Sequence, residues 1–183
     1  MLKKLTRAFG LSVGAANEPA PVTPEKMKWA HWVTDHLARM ARVNWYDFSQ
    51  DKDLCKAYIT NLRNRRHKYT PDKLTCGHDD CWSTYKSLVN RYQKHDPRAT
   101  ILLDCEDAAC AHSGWLAAQC YAGDTVFVGL VPGRRVSHAV SGVLRGKPGP
   151  VNGPDRIRII APARWFGMGP TSYENCVWKE VQL

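Results

Sequence analysis

No stretch of this chain is apolar for long enough to cross a bilayer as a helix, and no segment repeats another, so neither a transmembrane helix nor a solenoid is expected. Acidic residues are scarce: 17 Asp and Glu stand against 26 Lys and Arg, a formal charge of +9. That excess implies attraction to something acidic, whether nucleic acid, an anionic membrane surface, a cell-wall polymer or an acidic protein. None of the named nucleic-acid-binding motifs is present. The densest basic run, Arg63-Asn64-Arg65-Arg66-His67-Lys68, reads as a solvated helix end. The seven cysteines are odd in number and irregularly spaced, which does not spell a disulfide framework. They are expected to be mostly reduced, favouring an intracellular or virion setting over secretion. Cys76-Gly77-His78-Asp79-Asp80-Cys81 holds two thiols and an imidazole but lacks the second paired cluster of a structural zinc site. It reads as a loop, and no metal is expected.

What is present suits one soluble globular domain: 183 residues, 44% apolar and 23% charged. Residues 1–24 read as a basic amphipathic arm followed by the proline-rich linker Asn17 to Pro24, and residues 25–183 as the domain. The apolar run of the arm is broken by Gly10, Ser12 and Gly14, too short for a signal peptide. Thr23 caps a helix over Glu25 to Val43, with Met27, Ala30, Val33, Leu37, Met40 and Ala41 on one face and Trp29 and Trp32 adding packing area. Asn44 to Asp53 breaks the pattern. Further helices are expected from Leu54 to Arg65 and from Trp82 to Gln93, strands over Thr125 to Val131, Ser137 to Leu144 and Arg156 to Ile160, and an edge strand over Val177 to Leu183.

The chain is organised around Leu103 to Gln119 (LDCEDAACAHSGWLAAQ). Asp104 reads as an N-cap, with Asp107 completing a loose capping box, so Cys105 opens the helix. There the free N–H groups and the positive dipole end lower a thiol's pKa, which makes Cys105 the candidate nucleophile. Asp104, Glu106 and Asp107 oppose this by like-charge repulsion, so a basic partner is required. His112, two turns along the same helix, is about 10 Å away. His138 opens the return strand of the hairpin that follows, and a cysteine opening a helix with a histidine on a later strand is the papain-type arrangement for thiol activation.

The segments D-C-E-D-A-A from Asp104, S-H-A-V from Ser137 and A-P-A-R-W-F-G-M from Ala161 resemble the transglutaminase-like (papain-like) cysteine peptidase superfamily, with its G-D-C-E-D, H-A-V and D-P type motifs. Asp80-Cys81-Trp82-Ser83-Thr84 is similar to the D-x-W-x-T segment of bacterial relatives. The likeness covers about Asp79 to Met168. It implies an α+β fold in which N-terminal helices accompany a nucleophile helix packed on a small antiparallel sheet. It implies acyl transfer by Cys105 with His138 as base, no cofactor, and a protein or peptide substrate. Trp82 becomes a candidate oxyanion donor. Because short members of this type occur in tailed-bacteriophage genomes, a location in the virion or the bacterial cytoplasm, with other virion proteins as partners, follows as an expectation.

One position departs from the pattern. Ala161 stands where the superfamily has the acid that orients the histidine. Asp155 is six residues away, roughly 20 Å along a strand; Asn152, Asn175 or Glu174 are the candidate substitutes. Peptidase or amidase hydrolysis by a Cys-His dyad is the leading expectation. The alternatives are a catalytically degenerate virion or assembly protein of the same fold and an NlpC-type cell-wall endopeptidase, for which the 33 residues between Cys105 and His138 are few.

Overall fold

A computed structural model describes residues 22–75, 77, 81–119, 124–132, 137–144, 158–160 and 175–183. The element order is α1 (Pro24–Gln50), α2 (Lys52–Arg63), β1 (His67–Tyr69), α3 (Asp72–Thr75), α4 (Tyr85–Tyr92), β2 (Ile101–Leu103), α5 (Cys105–Gln119), β3 (Thr125–Val131), β4 (His138–Leu144), β5 (Arg158–Ile160) and β6 (Val177–Glu180). The protein is α+β. Among the described residues no helix is long and apolar enough to cross a membrane.

Thr23 caps α1 as expected, its hydroxyl accepting from the Lys26 N–H at 3.3 Å, with Pro24 in the first turn. The helix runs seven residues past its expected end at Val43. Asn44 does not stop it, because its amide donates back to the Met40 carbonyl at 3.1 Å and its Oδ1 accepts the Tyr85 N–H at 2.7 Å. Phe48, one turn on, is buried. The basic run after α2 also departs from expectation. The helix ends at Arg63, Arg65 turns the chain at φ 53, and His67–Tyr69 forms a strand parallel to β2.

The larger sheet has the strand order β5-β4-β3-β6 with antiparallel neighbours. Val126, Val128 and Leu130 lie opposite Val143, Ser141 and Ala139, and cross-strand partners share a face. That face packs on α5 and α1: Val128, Leu130, Ala139, Cys105, Ala109, Leu37 and Val33 belong to one buried cluster. Between α1 and the sheet, α5 is buried nearly all round, as expected of a helix that is apolar or small on every side. Gly114 permits this closeness, because a Cβ there would lie 2.5 Å from the Asn44 Cβ and 2.8 Å from the Ala41 carbonyl oxygen. The helix that Cys105 opens therefore does pack on a small antiparallel sheet.

Candidate functional site

The site is built where β2 hands over to α5. Asp104 is the N-cap, its Oδ1 accepting the Asp107 N–H at 2.9 Å. The capping box is not closed, since the Asp107 carboxylate turns outward to accept the Ser83 N–H at 2.7 Å. Cys105 is the first helical residue and is 4% exposed. Its Sγ–H donates to Glu106 Oε2 at 2.8 Å, and the backbone N–H of Ala139 donates to the sulfur. That nitrogen is the one that joins Ala139 to His138. The start of α5 and the start of β4 are thus in contact, and the contact is made by the peptide that follows the candidate base.

The pleat settles where the imidazole leaves the strand. Ser141 Oγ donates to the Ala109 carbonyl at 2.9 Å, and Ala139 lies in the core cluster with Cys105, so odd-numbered residues of β4 face α5. His138, opposite Val131 in the register, therefore points to the other face. It is buried there, at 6% exposed. The sulfur lies against the strand backbone, and the ring starts from the face turned away from α5.

Electrostatics correct the expectation of an acidic thiol. Burial pushes the Cys105 pKa well above its ordinary value, the charges of Glu106 and Asp104 push the same way, and the Ala139 N–H opposes them. The first-turn position does not prevail, because burial and the acids crowded at the helix start outweigh it. Burial, with Glu106 and Asp107 beside it, raises the Asp104 carboxyl to about 10. Burial raises Asp107 to about 7 against the Ser83 N–H, which lowers it. Tyr69, at the end of β1, is pushed up to about 12 by burial and by Cys105, Asp104, Glu106 and Asp72. At neutral pH the thiol is protonated and Asp104 is a neutral acid.

Oxygens of Asp72, Asp104 and Asp107 lie within 4.8 Å of one another, a spacing that suits a hard cation. The N–H groups of Cys81, Asp107 and Ser83 already donate to these carboxylates, so no metal is assigned.

Trp82 packs against the cluster that contains Cys105. Its ring lies 4.2 Å from that of His36 and 6.3 Å from that of Trp32. Its indole Nε1 is buried and makes no hydrogen bond among the described residues. Asn175 is an exposed turn residue before β6. Asn152, Asp155, Ala161, Glu174, Cys76 and His78 lie outside the described residues. His112 is held by the Tyr58 hydroxyl at 2.8 Å, away from the thiol as helix length required. Cys55, Cys105, Cys110 and Cys176 are free, whereas Cys81 is disulfide-bonded, an exception to the reduced reading. No family model, curated protein or solved structure matches this chain.

Three features of the site were not read from the sequence. Glu106 accepts a hydrogen bond from the thiol directly, where its charge alone predicts only a repulsive neighbour. Asp72 arrives from a short helix far upstream, with no local pattern to announce it. The Ala139 N–H is a backbone group, invisible to residue-type reasoning.

Proposed function

We propose that this chain performs cysteine-dependent acyl transfer in the manner of transglutaminase-like (papain-like) cysteine peptidases, with hydrolysis of a peptide or amide bond as the reaction. The observation that carries this reading is the thiol at the first turn of α5 with the peptide N–H following His138 at its sulfur. Cys105 attacks the carbonyl carbon and its proton passes to His138. The C–N bond then breaks, and the amine leaves with that proton. Water hydrolyses the thioester, His138 accepting and returning a proton. Free N–H groups at the helix start and the indole of Trp82 are the oxyanion donors. The raised thiol pKa makes this a general-base attack by a protonated thiol, because a stored thiolate is disfavoured. The reaction requires the Cys105–Glu106 bond to open and the His138 ring to turn round the strand edge. The chain's positive charge suits an acidic substrate, and the short, phage-like pattern suits a virion or the bacterial cytoplasm.

The test is turnover of a p-nitrophenyl ester of a short acyl peptide. The proposal expects release of p-nitrophenol that Cys105→Ala abolishes and His138→Ala reduces by about 100-fold or more. Equal rates in the wild type and Cys105→Ala would refute it.

A second reading has specific support. The 4% exposure of the thiol, its raised pKa and Ala161 in place of the orienting acid fit a catalytically degenerate virion or assembly protein of the same fold. On that reading Cys105→Ala folds and assembles as the wild type does.

A further inference from the structure

The sequence assigned Trp29 and Trp32 to packing, and the structure places them at the surface. Trp29 is 43% exposed, Trp32 60%, Val43 45% and Tyr46 59%. With His36 and Arg39 they fall at spacings of three, four, three, four and three along α1, which puts them in one stripe. From Trp29 to Tyr46 the stripe is about 26 Å long. Trp82 extends it sideways, its ring tilted against those of His36 and Trp32.

The charge on this face is positive. Lys28, Arg39 and Arg42 are exposed on or beside the stripe. The two acids along it are already engaged: Asp35 pairs with Lys179 at 2.7 Å and Asp47 with Lys86 at 3.8 Å. Glu25, exposed in the first turn, is the remaining acid of α1.

We propose that the exposed face of α1, with Trp82, binds single-stranded nucleic acid. Bases stack on Trp32, Trp29 and Tyr46, and phosphates lie against Lys28, Arg39 and Arg42, the combination by which sequence-tolerant single-strand binders work. A second copy of this chain is a poorer occupant. Arg39 sits at the middle of the stripe and would meet a like charge across a helix pair, and each chain carries +9. An apolar helix lacks anything for the cations. Trp82 is shared with the oxyanion role proposed above, whereas Trp29, Trp32, Tyr46, Lys28, Arg39 and Arg42 are not, so the inference does not rest on the chemistry at Cys105.

The experiment is fluorescence anisotropy of labelled oligothymidine titrated with the full chain at low and at physiological salt, read alongside quenching of tryptophan emission. The expected result is saturable binding that weakens with salt. Trp32→Ala should weaken it about tenfold. Arg39→Glu should weaken it and flatten the salt dependence by roughly 0.7 for each phosphate no longer neutralised. Both positions are at the surface, so circular dichroism and the melting temperature should stay as in the wild type, which separates loss of binding from loss of fold. Flat anisotropy overturns the proposal. So does binding that Trp32→Ala and Arg39→Glu leave intact while Arg63→Glu with Arg65→Glu abolishes it, which would move the site to the end of α2. Concentration-dependent dimerisation that Trp32→Ala prevents, without oligonucleotide binding, would assign the stripe to a second copy.

Discussion

The middle and the start of α5 both bury polar groups, and they do so in opposite ways. Midway along, His112 meets the Tyr58 hydroxyl at 2.8 Å, and the Tyr85 hydroxyl meets Asn61 at 2.9 Å and His67 at 3.1 Å. Asn61 and Gln93 bond each other twice, at 2.9 and 3.1 Å. These are neutral pairs, and burial lowers both imidazoles to about 4 so that they stay neutral. The cavity among Tyr58, His67, Tyr85 and Leu103 measures about 10 Å³, near the room one water needs. At the start of the same helix, the buried carboxyls of Asp72, Asp104 and Asp107 crowd together beside the buried Cys105 thiol, with the partly exposed Glu106 next to them. A neutral buried network specifies packing, whereas carboxyls crowded together in the interior oppose folding as they ionise.

Removing the neutral network should have the largest effect. Tyr85 is 1% exposed, its ring meets those of Phe48, Tyr58 and His67, and its hydroxyl meets Asn61 and His67, so Tyr85→Ala is expected to lower unfolding free energy by about 3–5 kcal/mol in a urea titration. Next comes the acid limb of stability. The folded pKa of His67 and of His112, about 4, lies below the unfolded 6.5. Between those values the unfolded chain takes up the proton first, so stability present above pH 6.5 is lost as pH falls to 4. The loss is roughly 3 kcal/mol per histidine. His112→Gln, which keeps an acceptor for the Tyr58 hydroxyl, should remove about half of it.

The carboxyl corner should show the opposite slope. Asp104 has a folded pKa of about 10, above its unfolded 3.8, so its contribution is fullest at low pH and is lost as pH rises. Asp104→Asn retains the cap and no longer needs a proton. Its melting temperature should exceed the wild type's by a margin that widens with pH, up to about 1.4 kcal/mol per pH unit. A margin that stays constant from pH 5 to 8 would erase the contrast between the two regions. Trp32→Ala, at the surface stripe, should shift stability by less than about 0.5 kcal/mol.

Much of this architecture is legible in the residues. The Thr23-Pro24 start, the Asp104 cap, the span of β3 and the register-forming hairpin follow local rules that the fold leaves unopposed. The errors have tertiary causes. Asn44 looks like a breaker until Tyr85 occupies its side chain, and His67–Tyr69 looks like a basic helix tail until β2, far along the chain, offers a partner. At the site, cap position and helix order were readable, but the thiol's pKa was not. Its direction depends above all on how deeply the corner is buried, a quantity that spacing does not contain. Trp29 and Trp32 lie at the surface and not in the packing expected of them, because aromatic area alone does not say which side of a helix the core occupies.

The proposed reaction rests on the Cys105 proton leaving for His138 as the sulfur attacks a carbonyl. Intact-mass measurement after brief exposure to p-nitrophenyl acetate at neutral pH reads that step. One added acetyl group is expected, located on Cys105, with near-complete loss of the adduct in a folded His138→Ala variant. Acetylation of Cys105 at the same rate in both proteins, or on surface lysines alone, would contradict the transfer.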